Sequence, residues 1–509
     1  MGNVNEVDVL PLARQYADPT WIPHDWYLNQ PPGYRFLFQS IVGKLVTAWG
    51  FLAASIIGRL VCYCLVATGL FLIGRRLGLN LVFLLLSVLL FIINPYQGAI
   101  AQEWIVGGLE TKAIAYGFVL VGISWMLGGR YILAAFMFGA ATSFHVLVGG
   151  WTCLAGLGWW ALKQLHHGRG VGSIRQLAAL AATYVIASAF AIPPVLHHLS
   201  VSKPTGSINA SYIYVFLRLP HHLNPLSWGI EWLPGFLYLL ILGVSVVMIR
   251  RQPKAKDSSV YDARLGLAGF TLMALVPFVL GVLIAPFDAQ GQWLQYYPFR
   301  LGDVMLTLST CLLFICALKQ LLPPKAERAA IALSLVLLTS LATIQATEFQ
   351  EQLTKIRQFP SQTQKSSLAW EEICFWIRQN TPKEARVISP PVEFVNFSWL
   401  SERATIAKYK LLPQNKAGLL DWYERLDDLS GDTNPWQLEP GEQPKKSKFR
   451  AALTNGYNHL GTEQVKALMD KYQANYFVTR SAHQLDLPIA YQNSEHILYT
   501  VSDAIALLK

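Results

Sequence analysis

Long apolar runs alternate with short polar connections from about residue 49 to residue 346. About ten of these runs approach the roughly 20 apolar residues that an α-helix needs to cross a bilayer. The fourth and fifth runs are short and are separated only by Ser143, Phe144 and His145, so they are either short spans or a broken, re-entrant pair. The predicted spans lie near 49–73, 79–94, 113–128, 131–143, 146–163, 176–196, 232–249, 264–285, 301–321 and 328–346.

The pattern changes after residue 346, where the chain becomes charged, is punctuated by proline and has no long apolar run. Residues 347–509 are therefore predicted to form a separate aqueous α/β domain. Its predicted helices lie near 368–379, 419–429 and 462–472, and its strands near 386–389, 404–409 and 476–479, with a final hairpin over 489–501 and a loop over 430–448. The predicted organisation is an outer segment with short helices (1–48), a transmembrane helical domain (49–346) and the α/β domain (347–509).

Composition supports a membrane protein. Of the 509 residues, 53% are hydrophobic and 14% are charged, whereas an ordinary soluble protein has about 25% charged residues. In a soluble protein, the net charge of +10 could suggest a nucleic-acid partner. Here the basic residues lie mainly in the connections between spans, so we expect no nucleic-acid partner. The six cysteines include no CxxC pair, and five of them lie in apolar runs, which gives neither a disulfide framework nor a metal motif.

Basic residues in the connections predict the topology, because Lys and Arg accumulate on the cytoplasmic side. Connections after odd-numbered spans are rich in them, whereas the intervening connections hold only Lys112, Lys203, Arg218 and Arg300. Residues 1–48 and the C-terminal domain are therefore expected on the non-cytoplasmic side of the membrane, in the periplasm or the exterior. No signal peptide precedes residues 1–48, so we expect a full protein with one further N-terminal helix and about eleven spans; the alternative is unaided translocation of the N-terminus.

Polar side chains that could take part in chemistry collect on this outer face. Acidic residues at helix starts could simply cap the helix dipole, and an arginine there could anchor the protein at the headgroups. The pairs His197-His198 and His221-His222 are predicted to be interfacial, with metal binding as the less favoured alternative. The candidate site residues are Glu6 and Asp8 in the first outer segment, Glu103, Glu110 and Lys112 in the second, His145 between the short spans, Arg218 in the third and Arg300 in the fourth.

The order of these features resembles the GT-C superfamily of membrane glycosyltransferases. The stretch Asn5-Glu6-Val7-Asp8 is similar to the acidic motif in the first outer loop of that superfamily, and Arg300 is placed like its carrier-binding basic residue. The segments 5–11, 108–116, 143–150 and 297–303 resemble an uncharacterised bacterial, largely cyanobacterial, family of the same architecture. The resemblance implies a mostly α polytopic bundle with a C-terminal extracytoplasmic α/β domain.

The resemblance also implies a reaction, the transfer of a sugar from a polyprenyl-phosphate carrier to a glycan, lipid or protein acceptor. Glu6 would take up the acceptor's proton, with Asp8 as second choice. Arg300 and Lys112 would stabilise the departing phosphate, and Glu103, Glu110, His145 and Arg218 would bind substrate. No metal ligand is assigned, although converging outer-loop carboxylates would suit Mg²⁺ or Mn²⁺.

Two other functions are compatible with a membrane helical bundle. A transporter or flippase of a lipid-linked glycan would carry ionisable groups near the bilayer midplane and broken helices in matched halves. The spans hold few ionisable groups and no repeat relates the two halves, which favours the transferase. A non-catalytic membrane scaffold is the third hypothesis, because a fold does not determine a function.

Overall fold

The computed structural model divides the chain into two compact units. The first unit comprises Met1–Ser55, Val201–Arg218 and Glu348–Lys509, and the second comprises Ile56–Ser200 and Leu219–Thr347. The predicted domain boundaries after residues 48 and 346 stay predictions. The structure describes residues 5–93, 96–166, 174–200, 208–251, 258–323, 325–337, 339–340, 343, 347, 362–438 and 442–501.

Helices dominate the described residues. The first thirteen are α1 (Glu6–Ala17), α2 (Phe36–Arg76), α3 (Leu81–Ile92), α4 (Thr111–Leu127), α5 (Tyr131–Phe144), α6 (Val146–His166), α7 (Ile174–Ala187), α8 (Ile192–Ser200), α9 (Ala210–Tyr212), α10 (Pro220–Leu223), α11 (Trp232–Arg251), α12 (Ser258–Ile284) and α13 (Arg300–Leu321). The C-terminal part adds α14 (Gln362–Asn380), β1 (Arg386–Ile388), α15 (Phe397–Ser401), β2 (Ala404–Thr405), α16 (Lys416–Asp428), α17 (Lys446–Asn458), α18 (Thr462–Lys471), β3 (Tyr476–Arg480), β4 (Ile489–Gln492) and β5 (His496–Thr500).

The chain is a polytopic helical membrane protein, as predicted. Four described helical stretches are long and apolar enough to cross a bilayer: Gly33–Arg76, Trp232–Arg251, Ser259–Phe287 and Arg300–Leu321. Shorter apolar helices at Leu81–Ile92, Thr111–Leu127, Tyr131–Phe144 and Ile174–Ala187 add to the bundle. Each of the first nine predicted spans overlaps at least one helix, and the tenth, 328–346, lies partly outside the described residues.

Two predicted spans differ from the observed helices. The first helix starts at Phe36 rather than residue 49, and Gly50 interrupts its helical geometry with φ 77°. Glycine suits this position because it has no Cβ and adopts positive φ without steric cost. The sixth predicted span, 176–196, is two helices, and Pro193 and Pro194 stand near the start of the second. Proline lacks an N–H group, so it belongs at the start of a helix rather than in its interior.

Among the four described helical stretches long enough to cross a bilayer, α13 is the most buried. Nearly all of its residues from Arg300 to Ala317 are buried, and it packs against α3, α11 and α12. Within this apolar packing, the hydroxyl of Thr271 on α12 donates to Ser309 Oγ on α13 at 2.7 Å. A helix buried on all sides is held rigidly, so side chains at its ends have fixed positions.

The α/β prediction for the C-terminal part is confirmed. Five strands form one sheet in the order β2-β1-β3-β5-β4, with β2, β1 and β3 parallel and β5 and β4 antiparallel. Helix α14 buries Trp370, Ile373, Cys374 and Ile377 against this sheet. These positions follow the i, i+3, i+4, i+7 spacing of one helix face, which is why this polar sequence forms an amphipathic helix.

Two predictions in this domain are corrected. The strand predicted over 404–409 ends at Thr405, and the N–H of Tyr409 instead donates to the carbonyl of Pro391 at 2.8 Å. The loop predicted over 430–448 gives way to α17, which starts at Lys446. The buried positions of α17, Phe449, Leu453 and Tyr457, recur every four residues, but the flanking lysines and glycine hide the pattern.

The N-terminal segment and the C-terminal domain share a core inside the first unit. Leu12, Trp21, Ile22, Tyr27 and Leu28 pack with Ala404 and Leu411. At its edge, the buried carboxylate of Asp25 accepts hydrogen bonds from Leu28 N at 2.8 Å, Ser398 Oγ at 3.0 Å and Thr405 N at 3.1 Å. One carboxylate thus satisfies donors that lie nearly four hundred residues apart in sequence.

We expect Asp25→Ala to lower the free energy of unfolding by about 3 kcal/mol, because three donors lose their acceptor and a buried unsatisfied group costs about 1–3 kcal/mol. The thermal unfolding midpoint of the purified protein in detergent measures this loss. Asp18→Ala is the matched control, since Asp18 is exposed and bonds only locally, to Thr20 and Arg14. Equal midpoints for the two variants would contradict the prediction.

Candidate active site

The loop between α3 and α4 places a carboxylate inside the second unit. Glu103 is 1% exposed. Its Oε1 accepts a hydrogen bond from Arg300 Nε at 2.9 Å, and its Oε2 lies 3.6 Å from Lys112 Nζ. Arg300 opens α13 and Lys112 lies in the first turn of α4, so two helix starts meet at this one side chain.

Two more predicted site residues complete the arrangement. Lys112 Nζ is also 3.8 Å from Glu110 Oε2, and Arg300 Nη1 lies 3.0 Å from His145 Nε2. The structure therefore brings together Glu103, Glu110, Lys112, His145 and Arg300, which we call the Glu103 cluster.

Aromatic rings cover both cations of the cluster. The Lys112 ammonium lies 4.0 Å from the centre of the Trp104 ring, and the Arg300 guanidinium carbon lies 3.7 Å from that of Tyr297. Cations over aromatic faces gain electrostatic stabilisation, more so when water is excluded. The rings therefore hold the two cations in place beside Glu103.

The cluster determines the ionisation of Glu103. Burial alone would raise the pKa of this carboxyl, but the charges of Arg300 and Lys112 outweigh burial and bring the pKa to about 2. Glu103 is therefore ionised at any physiological pH. Such a weak base is poorly suited to take up a proton, and well suited to orient cations and accept hydrogen bonds.

One face of α13 holds the loop that carries Glu103. Asp303, one turn after Arg300, accepts hydrogen bonds from Ile100 N at 2.7 Å and Glu103 N at 3.4 Å. Thr307, one turn further, donates to the carbonyl of Gln97. Residues spaced by three and four lie on the same side of a helix, so Arg300, Asp303 and Thr307 contact the loop together.

The loop is also braced from within and from α4. Gln97 Oε1 accepts from Ile105 N at 2.7 Å and Val106 N at 2.9 Å. The Tyr116 hydroxyl donates to the Arg300 carbonyl at 3.2 Å. The backbone around Glu103 is therefore fixed on both sides.

Sequence reasoning did not assign Asp303 or His222 to the site. His222 Nδ1 lies 2.6 Å from the Ala101 carbonyl, two residues before Glu103. Burial lowers the pKa of His222 to about 4, so the ring is neutral; Nδ1 then carries the proton that bonds the carbonyl and Nε2 is an acceptor. The pair His221-His222 was visible in the sequence, but nothing there indicated its carbonyl partner.

The first-loop acids lie in the first unit. Glu6 is 0% exposed, and its Oε2 accepts a hydrogen bond from Ser55 Oγ at 2.8 Å. Asp8 accepts from the Tyr27 hydroxyl at 2.5 Å and forms an ion pair with Arg35 at 3.3 Å. Both acids stand in the first turn of α1, where they also complement the helix dipole. The partners Ser55, Tyr27 and Arg35 were not predicted, because only the folded chain brings them to these acids.

Arg218 also belongs to the first unit, where it bonds to the backbone. Its Nε donates to the Tyr409 carbonyl at 2.9 Å and its Nη2 to the Lys410 carbonyl at 3.1 Å. These contacts give Arg218 a role in holding the segment around Tyr409.

The Glu103 cluster does not fit a divalent cation, because both of its carboxylates contact the ammonium of Lys112. Within the residues that the structure describes, no group of three or more His, Cys, Asp or Glu side chains is arranged to hold a metal ion.

Comparisons with known proteins give limited matches. The family described as "Domain of unknown function (DUF6798)" matches residues 369–429, and no curated protein matches the chain. ArnT from Cupriavidus metallidurans in the apo state aligns with 100% of this chain and 94% of its own at 11% identity and TM-score 0.41. The Archaeoglobus fulgidus oligosaccharyltransferase in the apo form aligns with 93% of this chain and 65% of its own at 13% identity and TM-score 0.41. Similarity of this degree does not assign an activity to the chain.

We expect Glu103→Gln to lower the free energy of unfolding at pH 7 by about 3 kcal/mol, because it removes the carboxylate that pairs with Arg300 and leaves Lys112 with Glu110 alone. The folded-state pKa of about 2 lies below the ordinary value of 4.5. The stabilisation by ionised Glu103 is therefore complete above pH 4.5 and is lost as the pH falls towards 2. Denaturant titrations should show that the difference in the free energy of unfolding between wild type and variant is smaller at pH 3 than at pH 7. Glu463→Gln, at an exposed position, should match wild type at both pH values; a gap independent of pH would contradict the assignment.

Asp303→Ala should loosen the loop at 97–109, because the amides of Ile100 and Glu103 lose their acceptor at a cost of about 1–3 kcal/mol each. Hydrogen exchange of peptides covering this loop should become faster, and Asp303→Asn, which keeps one acceptor oxygen, should give an intermediate rate. Ser309→Ala is the control on the same helix. Unchanged exchange in Asp303→Ala would show that the loop is held without Asp303.

Proposed function

We propose that this protein is a GT-C-type glycosyltransferase that moves a sugar from a polyprenyl-phosphate carrier to a glycan, lipid or protein acceptor. The reaction would take place on the outer face of the bacterial inner membrane, where we also place the C-terminal domain. The observation that carries the proposal is the Glu103 cluster, in which two cations are buried beside a permanently ionised carboxylate at the ends of apolar helices.

Arg300 and Lys112 are the proposed partners of the carrier phosphate. Departure of a sugar from a phosphate carrier leaves negative charge on the phosphate, and cations fixed in advance stabilise that charge most effectively. Arg300 is suited to this task because its guanidinium presents several N–H donors in a planar fork. Glu103 holds both cations, and a bound phosphate would share them with it.

Glu110 and His145 are the proposed contacts to the sugar or the acceptor. Each touches one cation of the cluster, Glu110 through Lys112 and His145 through Arg300. Carboxylate and imidazole groups accept hydrogen bonds from hydroxyl groups. Arg218, whose observed contacts are to carbonyl groups, remains a proposed substrate-binding residue of lower priority.

Glu6 is the proposed base that takes up the proton of the acceptor hydroxyl. Its carboxylate accepts a hydrogen bond from the Ser55 hydroxyl. Asp8 is the second choice, and its carboxylate forms an ion pair with Arg35 and accepts a hydrogen bond from the Tyr27 hydroxyl. The role of Glu6 rests on the sequence resemblance.

An apolar cavity in the second unit suits the hydrocarbon chain of a lipid carrier. It measures about 320 Å³ and its lining includes Phe138 on α5, Trp160 on α6 and Tyr184 on α7. The Tyr184 hydroxyl is 2.8 Å from Thr142 Oγ1. His145 follows Phe138 by seven residues, roughly 10 Å along the chain at the helical rise. A lipid whose chain entered the cavity could bring its headgroup towards the Glu103 cluster.

Transfer of radiolabel from polyprenyl-phosphate sugars, in membranes that contain the protein, tests the proposal. We expect Arg300→Gln to lower the rate of transfer about 10²–10³-fold and Glu6→Gln about 10²–10⁴-fold. Glu463→Gln, an exposed carboxylate, is the matched control and should keep the wild-type rate. Equal transfer in wild type and Arg300→Gln would remove Arg300 from the phosphate site, and equal transfer in Glu6→Gln would remove Glu6 as base.

The same membranes distinguish the competing functions. Movement of labelled carrier across the bilayer without sugar transfer would overturn the transferase in favour of a flippase. If the protein neither transfers sugar nor moves the carrier, the scaffold hypothesis is favoured. Treatment with EDTA, followed by Mg²⁺ or Mn²⁺, tests the divalent cation that remains a proposal from the sequence.

A further inference from the structure

The first unit contains a second group of cations, unrelated to the Glu103 cluster. It consists of Arg218, Lys410, Lys446 and Arg450, which we call the basic site. Arg218 ends the segment Ile213–Arg218, against which α17 packs. Lys446 and Arg450, four residues apart at the start of α17, lie on one side of that helix.

Arg218 is 8% exposed, yet it is held by neutral groups. Two carbonyls accept from its Nε and Nη2, and its guanidinium carbon lies 5.1 Å from the centre of the Tyr409 ring. Within the described part of the chain, no carboxylate lies within ion-pair distance of its guanidinium. A buried cation without a counter-ion is costly, so an anion from outside would stabilise it.

The start of the neighbouring helix, α17, also lacks a negative charge. The first turn of α17 holds no acidic residue, and its N-cap residue, Lys445, makes no capping hydrogen bond with its side chain. The unbonded N–H groups and the dipole of a helix start attract anions and repel cations. Lys446 at this position is therefore unfavourable unless an anion lies nearby.

The pKa of Lys446 agrees with its position beside the other cations of the basic site. Burial first, and then the like charges of Arg218, Arg450 and Lys410, lower the pKa of Lys446 to about 8. The adjacent Lys448 differs, because its ammonium forms an ion pair with Glu442 at 2.5 Å. Like charges that lie close together repel one another.

We propose that the basic site binds a phosphate or pyrophosphate group. Arg218 supplies the guanidinium donor, Lys446 and Arg450 supply mobile charges, and the start of α17 supplies backbone N–H groups. The combined charge suits a polyanion better than a single carboxylate. The group could belong to a soluble phosphate compound or to an anionic lipid headgroup, which present the same chemistry.

Thermal unfolding of the full chain in neutral detergent tests the proposal with sodium pyrophosphate as probe, against sodium chloride at equal ionic strength. Pyrophosphate should raise the midpoint of the wild type. Lys446→Gln and Arg450→Gln should each raise the half-saturating concentration about tenfold, the loss expected for one charged hydrogen bond. Lys466→Gln is the control, because Lys466 is exposed on α18 and pairs with Glu463; it should respond like wild type.

A second set of samples distinguishes the two sources. If the natural group is a lipid headgroup, phosphatidylglycerol nanodiscs should stabilise the wild type more than phosphatidylcholine nanodiscs, and Lys446→Gln should reduce the difference. A response to pyrophosphate without a lipid effect indicates a soluble ligand. Equal responses of Lys446→Gln and wild type to both probes would overturn the basic site.

The anion-free midpoint separates a ligand site from a structural role. Without an anion, Lys446→Gln should be at least as stable as the wild type, because it removes one charge from a like-charged group. A clear loss of stability in that condition would show that Lys446 serves the fold, and would contradict the proposal.

Discussion

The ion pair between Glu103 and Arg300 is the constraint on which the candidate site depends. A carboxylate that is 1% exposed in an apolar bundle must be compensated by nearby cations. Arg300 satisfies this requirement from the first residue of α13, and Lys112 from the first turn of α4. His145 reaches the same point from the junction of α5 and α6. The ends of α4, α5, α6 and α13 therefore meet around one buried charge. The close packing of α13 holds Arg300 in a fixed position at this site.

This constraint also divides the chemical tasks between the acids. The cations that neutralise Glu103 bring its pKa to about 2, which makes it a poor proton acceptor and a durable negative charge. A base must then be sought elsewhere. The sequence resemblance points to two carboxylates of α1, Glu6, which accepts a hydrogen bond from Ser55, and Asp8, which forms an ion pair with Arg35.

Local pattern explains which parts of this structure could be predicted. The first nine predicted spans overlap observed helices, and the helix predicted over 368–379, which ends before Pro382, is part of α14, because each of these signals lies within one element. Helix α17 was missed because lysines precede its first buried position, Phe449, and Gly456 lies next to its last, Tyr457. The five residues of the Glu103 cluster could be named individually from their outer-face positions. Their convergence, and the parts played by Asp303 and His222, could not, since Glu103 and Arg300 are 197 positions apart and only tertiary packing joins them.

Sequence separation has a further consequence in the first unit. Trp21 and Tyr27 share a core with Ala404 and Leu411, and Asp25 bonds to Ser398 and Thr405. Contacts between residues this far apart form only after a large loss of chain entropy, so they are made late relative to local helices. The N-terminal segment therefore acquires its final packing only when the C-terminal domain has been synthesised and folded. Glu6 and Asp8 sit on α1, which contributes Leu12 to this shared core. The environment of both first-loop acids therefore depends on the opposite end of the chain, and a fold that unites the two ends couples the candidate base to the integrity of the C-terminal sheet.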